Sequence, residues 1–120
     1  MLKLCEQDLK KRLELPSGYQ RIKFTQDDKS LSIAEYVDAF EKVYGTPATA
    51  LRKQQAASGE PTLFRIFIEY DAPNDFGVPI RGTSVCNTVD AVAEFRQTSY
   101  FYIRIDGLTA AQWLIEGLKH

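Results

Sequence analysis

The alternation of apolar and polar side chains in Leu63–Tyr70 is the feature that most constrains the fold. Successive side chains of a β-strand point to opposite faces of its sheet, so a period of two predicts a strand with one buried face. The apolar positions are Phe64, Ile66 and Ile68, and the positions between them are Arg65, Phe67 and Glu69. Three further strands are predicted over Tyr19–Thr25, about Pro79–Cys86 and Ser99–Gly107.

Two capping boxes predict the starts of helices. Ser32 with Glu35, and Thr109 with Gln112, have the spacing at which each side chain satisfies a free backbone N–H of the first turn. A short further helix is predicted to start at Asn87 or Thr88.

The N-terminal segment is predicted to form an amphipathic helix. Its apolar stripe recurs at spacings of three and four, at Leu2, Cys5, Leu9 and Leu13. Asp8 and Arg12 lie four residues apart and form an oppositely charged pair, which we expect on the solvent side of the helix.

The middle of the chain therefore has the order βαββαβ, which is the ferredoxin-like arrangement. We expect an α+β fold, a single domain over residues 1–120. Its four-stranded, mainly antiparallel sheet would follow the ferredoxin-like order, with an added helix at each terminus. In such a fold the helices cover one face of the sheet and leave the other face open.

The two faces differ sharply in composition. The expected core face carries Ile22, Phe24, Phe64, Ile66, Ile68, Phe101, Ile103 and Ile105. The expected open face carries Tyr19, Arg21, Lys23, Arg65, Phe67, Glu69, Tyr100, Tyr102, Arg104 and Asp106. Because Tyr, Phe and Arg are enriched at the centres of protein interfaces, the candidate binding residues are Arg65, Phe67, Tyr100, Tyr102 and Arg104.

In two interpretations the open face is covered by protein, either by this chain itself or by another chain. In the first, a terminal helix folds over it, and the aromatic rings become a second small core. In the second, the face binds another protein or a second copy of this chain, with Arg65 and Arg104 meeting Glu69 and Asp106 of that copy.

A third interpretation is single-stranded nucleic acid stacked on the aromatic rings. Thr83, Val85 and Thr88 stand where an RNA-recognition strand carries aromatic residues. The net charge of −1, from 15 basic and 16 acidic residues, gives no bulk attraction to phosphates. Nucleic acid is therefore the least favoured partner.

Charge and cysteine content bear on partners and location. Residues 1–25 carry six basic and three acidic side chains, whereas residues 26–50 carry two basic and five acidic, a polarity that can guide self-association. Cys5 and Cys86 are the two cysteines, and we expect them to be reduced and independent, as in a reducing compartment. No long apolar run is present, so we expect a cytoplasmic protein without a membrane segment.

No catalytic or metal motif is recognisable in the sequence. The sole histidine is His120, the last residue, so a histidine base for a serine or cysteine nucleophile is missing. Cys5 and Cys86 without an internal histidine do not indicate a zinc site. We expect no enzymatic activity and no cofactor.

Asp71–Gly82 is predicted to be the longest irregular loop, and it contains two further features. Asp71, Asn74 and Asp75 either bind a cation or, in the more ordinary case, cap their own backbone in turns. Phe76 completes the set of candidate binding residues, because a large apolar side chain on a loop either packs back into the core or contacts a partner.

Taken together, the residues predict a non-enzymatic binding module such as an adaptor, inhibitor or regulatory subunit. It would act through protein contacts of the aromatic and arginine-rich sheet face and form a homodimer. The alternative is a small-ligand domain whose pocket, between sheet and helices, is closed by the loop 71–82.

Overall fold

The computed structural model describes residues 1–118 and shows an antiparallel sheet of five strands with helices on both of its faces. The strands are β1 (Gln20–Ser30), β2 (Thr62–Pro73), β3 (Pro79–Asp90), β4 (Arg104–Ile105) and β5 (Leu108–Thr109). The α-helices are α1 (Leu2–Lys11), α2 (Ile33–Tyr44), α3 (Ala50–Ser58) and α4 (Ala110–Leu118). Short 3₁₀ turns occupy Pro16–Gly18 and Tyr100–Tyr102.

Both predicted capping boxes form. Ser32 Oγ accepts a hydrogen bond from the Glu35 N–H at 3.1 Å, and Glu35 Oε1 accepts one from the Ser32 N–H at 2.9 Å. Thr109 and Gln112 make the same reciprocal pair at 3.3 and 2.8 Å. The N–H groups of a first helical turn lack partners within the helix, so these contacts define where α2 and α4 begin.

The long strands β2 and β3 form a hairpin at the centre of the sheet, and α1 packs on one of its faces. Ile66, Ile68 and Cys86 of this α1 face are buried against Cys5 and Leu9 of the helix. Ile103 and Ile105 complete that cluster. The predicted burial of Phe64, Ile66, Ile68, Ile103 and Ile105 is thus confirmed.

Helix α2 packs on the opposite face, at one end. Tyr36, Phe40 and Val43 are buried against Val89 and Ala91. Val89 pairs with Leu63 across β2 and β3, whereas Cys86 pairs with Ile66, so the two clusters lie on opposite faces of the sheet. We call the face that carries Arg65, Phe67 and Glu69 the open face; α2 covers one end of it.

The predicted sheet differs from the observed one in strand number and connection. It has five strands instead of four, and each strand lies beside its neighbours in the chain. Within residues 1–118, β3 and β4 are joined by an irregular segment without the predicted helix, and Val89 belongs to β3. The α+β class and the terminal helices are confirmed, whereas the ferredoxin-like order is not.

The segment Ser99–Gly107 does not form one strand. Tyr100–Tyr102 is a 3₁₀ turn, and the strand that follows has only two residues. Asp106 and Gly107 then adopt positive φ angles of 52° and 87° and reverse the chain into β5. An Asp-Gly pair favours this conformation because Gly carries no Cβ and Asp tolerates the left-handed region.

The interpretation of Cys5 and Cys86 as independent thiols is wrong, because a disulfide joins them and ties α1 to β3. Both residues are fully buried, and 81 positions separate them in the sequence, so local spacing carried no sign of the pairing. Such bonds persist in oxidising compartments, so the argument from reduced cysteines for a cytoplasmic location no longer holds. None of the helices in residues 1–118 is long and apolar enough to cross a membrane.

Candidate functional site

The structure separates the predicted binding residues into several groups. Arg65, Phe67 and Arg104 share the open face, since Arg65 and Arg104 both pair with Asn87 of β3. Phe76 lies in the turn of the β2–β3 hairpin. Tyr100 and Tyr102 fall in the 3₁₀ turn, whose side chains advance by about 120° per residue instead of alternating, so they contact different helices.

The charges of the open face are largely paired within the chain. Arg65 forms an ion pair with Asp27, and Lys23 lies 3.5 Å from Glu69. Arg81 donates to Asp71 at 2.6 Å and to Glu69 at 3.2 Å, and these hydrogen bonds raise the pKa of the Arg81 guanidinium. This pairing leaves little positive potential for phosphates and gives the nucleic-acid hypothesis no support.

Phe67 remains the exposed aromatic side chain at the centre of this face. The Arg65 guanidinium carbon lies 5.9 Å from its ring centroid, and the ring is partly exposed. The area around Phe67 on the open face is therefore accessible to a partner, although it is small.

Helix α2 covers the other end of the open face. The Tyr102 ring stacks on Tyr44 with centroids 4.7 Å apart, and Tyr44 stacks on Phe40 at 4.3 Å. Arg104 donates to Asn87 Oδ1 at 3.1 Å, and its burial lowers the pKa of the guanidinium, an effect that Asp38 opposes. An internal helix, and not a terminal one, thus packs over this end.

A second apolar surface lies at the C-terminal end of the described chain. We call it the C-terminal patch, and it consists of Tyr100, Phe101, Trp113, Leu114, Ile115 and Leu118. Four of these side chains, Phe101, Leu114, Ile115 and Leu118, are between 55% and 87% exposed. Phe101 was expected in the core, but the turn directs it outward, and none of the α4 residues up to Leu118 is buried.

A groove of about 420 Å³ opens between α1, the turn and α4 within this patch. Its walls are mostly apolar and include Tyr100, Phe101, Trp113 and Leu114. Lys11 of α1 stands at its side, with its ammonium 5.4 Å from the Tyr100 ring centroid. The groove brings side chains of the turn and of α4 onto one continuous surface.

Arg12 holds the base of this patch in place. Its guanidinium pairs with Asp8 at 2.8 Å, donates to the carbonyls of Ile105 and Leu108 at 3.0 and 2.9 Å, and lies 5.8 Å from the Trp113 ring centroid. The predicted Asp8–Arg12 pair therefore forms, but it is buried instead of facing solvent. The i, i+4 spacing indicated the pair, and only the packing of β4 and β5 against α1 buries it.

The predicted loop Asp71–Gly82 is mostly a regular hairpin. Asn74 Oδ1 accepts hydrogen bonds from the N–H groups of Phe76 and Val78 at 2.9 and 3.1 Å, which is the ordinary turn chemistry of Asn. Phe76 is 88% exposed, and Asp71 is engaged by Arg81. The hairpin therefore projects outward and does not form a lid over the groove beside α4.

Two carboxyl groups meet beside this turn. A hydrogen bond and charge repulsion from Asp75 raise the pKa of Glu14, which follows α1. Among the described residues, no group of three or more His, Cys, Asp or Glu side chains is placed to hold a metal ion. His120 lies outside the described residues.

The chain was also compared with known proteins. No protein-family model, curated protein or solved structure matches it.

Proposed function

We propose that this chain is a non-enzymatic protein-binding module and that the C-terminal patch is its main contact surface. One observation carries the proposal: four large apolar side chains are each more than half exposed on adjoining segments of the turn and α4. Single exposed apolar side chains are ordinary, whereas contiguous ones mark contact sites for other molecules.

The energetics favour this patch over the open sheet face. Full burial of a Leu, Ile or Phe side chain contributes about 1.5–3 kcal/mol, so covering the exposed halves of four contributes roughly 3–6 kcal/mol. The open face offers Phe67 among paired charges, and exposed ion pairs contribute little on their own. The sheet face expected from the sequence is therefore a secondary contact area in this proposal.

The patch is also well supported from beneath. Arg12 links α1 to the carbonyls of β4 and β5 and to Trp113, so the segments that carry the patch are held together before any partner arrives. A preorganised surface loses less conformational entropy on binding. A rigid apolar surface of this kind suits an adaptor, an inhibitor or a regulatory subunit.

Site-directed photo-crosslinking tests the proposal. A photoreactive residue at Leu118, introduced in the cells that make this protein, should give a discrete adduct with another polypeptide. The same residue at Leu51, an exposed leucine on α3, should not. The substitutions Leu114→Glu and Ile115→Glu should abolish the adduct. Equal adducts from positions 118 and 51, or no adduct from either, would refute the proposal.

A second candidate function is the binding of a small apolar ligand in the groove. Its volume of about 420 Å³ and its apolar walls support this alternative, because ligand sites measure about 300–1,000 Å³. Native mass spectrometry of the freshly purified chain separates the two functions. A bound small molecule that is lost in a Phe101→Asp variant favours the ligand, and a bare chain favours the protein contact.

A further inference from the structure

Among residues 1–118, strand β1 is a long sheet edge without a partner on its outer side. It runs for 11 residues, about twice the usual strand length, and every one of them is exposed. Within the described part of the chain it pairs with β2 alone. The backbone N–H and C=O groups along such an edge are a template for pairing with another strand.

Apolar side chains on this edge were expected in the core. Ile22 and Phe24 are each 46% exposed, although Phe24 pairs directly with the buried Ile68. Helix α1 packs on the central strands through Cys5 and Leu9. It therefore leaves the side chains of Ile22 and Phe24 on β1 partly exposed to solvent.

The charges of β1 indicate what pairs with it. Its first half carries Arg21 and Lys23, whereas its second half carries Asp27, Asp28 and Lys29 and is acidic by one charge. Antiparallel pairing of β1 with another β1 places each basic half against an acidic half, which makes the edge self-complementary under a two-fold axis.

Overlap and side-chain direction define the register. Opposite residues must point to the same face, and placing Thr25, the middle residue of β1, on the two-fold axis aligns residues 23–27 of the two copies in regular pairing up to the bulge. Lys23 of each copy then lies opposite Asp27 of the other. Lys23 already pairs with Glu69 and Asp27 with Arg65, so charges alternate in a row across both sheets.

The edge does carry features that usually discourage pairing. A bulge interrupts β1 between Arg21 and Lys23, and lysines are common on protected edges. In this register Arg21 of one copy lies opposite Lys29 of the other, and both are positively charged. This pair lies beyond the bulge, where regular pairing has already ended. From Lys23 to Ser30 the strand follows β2 without any shift of register.

We propose that two copies of this chain associate through antiparallel pairing of their β1 strands, with Thr25 at the two-fold axis. The two five-stranded sheets then form one continuous sheet. This inference goes beyond the proposed function, because it concerns a surface other than the C-terminal patch.

A charge-reversal experiment tests it. Lys23→Asp alone and Asp27→Lys alone each place like charges opposite one another at both Lys23–Asp27 positions, so each should weaken the dimer roughly tenfold or more. A mixture of the two variants restores opposite charges at both positions, and native mass spectrometry should show a mixed dimer. Lys53→Asp, the same change on the exposed face of α3, is the control and should leave the dimer unchanged.

Solution mass at low salt provides the wild-type reference. The 13.6 kDa chain should approach twice that mass as concentration rises. A chain that stays monomeric overturns the inference, as does a dimer that survives both reversals. A dimer abolished by Leu114→Glu and Ile115→Glu instead would place self-association on the C-terminal patch and also overturn it.

A cross-link keeps the inference testable if a reversal variant fails to fold. Thr25→Cys should form an intermolecular disulfide on mild oxidation, since the two introduced side chains face each other at the axis. Lys29→Cys should not, because its counterpart lies at the far end of the strand. Equal cross-linking at both positions contradicts the register and overturns the inference.

Discussion

At one edge of the sheet β1 runs for 11 exposed residues, whereas at the other edge β5 has two residues and leads directly into α4. The short edge is closed by the chain itself: Arg12 binds the carbonyls of Ile105 and Leu108, and α4 follows. No element of the described chain covers the long edge in this way. Natural sheets protect an edge by making it short or by covering it, so this chain protects one edge and leaves the other accessible.

The two edges also depend differently on α1. Its Asp8–Arg12 pair is buried beneath the short edge, whereas Glu6 meets the long edge at its beginning, where it accepts from the Tyr19 hydroxyl at 2.5 Å and lies 3.5 Å from Arg21. Burial, followed by this hydrogen bond, raises the pKa of Tyr19. Anything that loosens α1 should therefore affect the short edge first.

Loss of the disulfide should have the largest effect. Replacing Cys5 and Cys86 by Ser should lower the free energy of unfolding by about 4 kcal/mol, because the unfolded chain is freed from a closure of 81 residues. Urea denaturation measures the loss. Relative to the wild type, hydrogen exchange in the variant should accelerate more at β4 and β5 than at β1. A loss of unfolding free energy below about 1 kcal/mol would show that the disulfide is not a major source of stability.

Breaking the Arg12 contacts should have the next largest effect. Arg12→Met leaves the Asp8 carboxylate buried without its partner, and the expected loss is about 3 kcal/mol of unfolding free energy. The double variant Asp8→Leu with Arg12→Met is the control, and it should be more stable than Arg12→Met alone. A double variant that is less stable than the single one would show that the charge pair is not the cause.

The long edge should be far more tolerant of truncation. Phe24→Ala should cost about 1 kcal/mol in the monomer, because half of the ring is already exposed, whereas Ile105→Ala at the short edge should cost about 3 kcal/mol. Thermal or urea denaturation at low protein concentration compares the two variants without a contribution from self-association. Equal losses would mean that the edges do not differ in packing.

The smallest expected effect concerns pH at the hairpin turn. The folded-state pKa of Glu14 is raised by its hydrogen bond with Asp75, so this contact contributes stability at pH values below the ordinary range of glutamate. The contribution is lost as pH rises through the raised folded value. Glu14→Gln should remove this part of the pH dependence in denaturation curves measured from acid to neutral pH. An unchanged pH profile would show that the pair is not formed in solution.

Local chemistry made several features predictable from the sequence. Each capping box joins residues three positions apart, and the alternation in β2 depends on strand geometry alone, so both predictions are confirmed. Ser99–Gly107 shows the limit of this approach. Its alternation is real, but the Asp106–Gly107 turn and the 3₁₀ turn shorten the strand and direct Phe101 outward.

The sequence by itself therefore determined the starts of α2 and α4, the buried face of β2 and the α+β class, because these depend on neighbours within a few residues. Tertiary structure decided the Cys5–Cys86 bond, the burial of Asp8 and Arg12, and the exposure of β1 and α4. Each of these depends on which distant segment lies opposite a given side chain. A local pattern shows that a side chain prefers to be covered, but only the packing of distant elements determines whether the chain itself covers it.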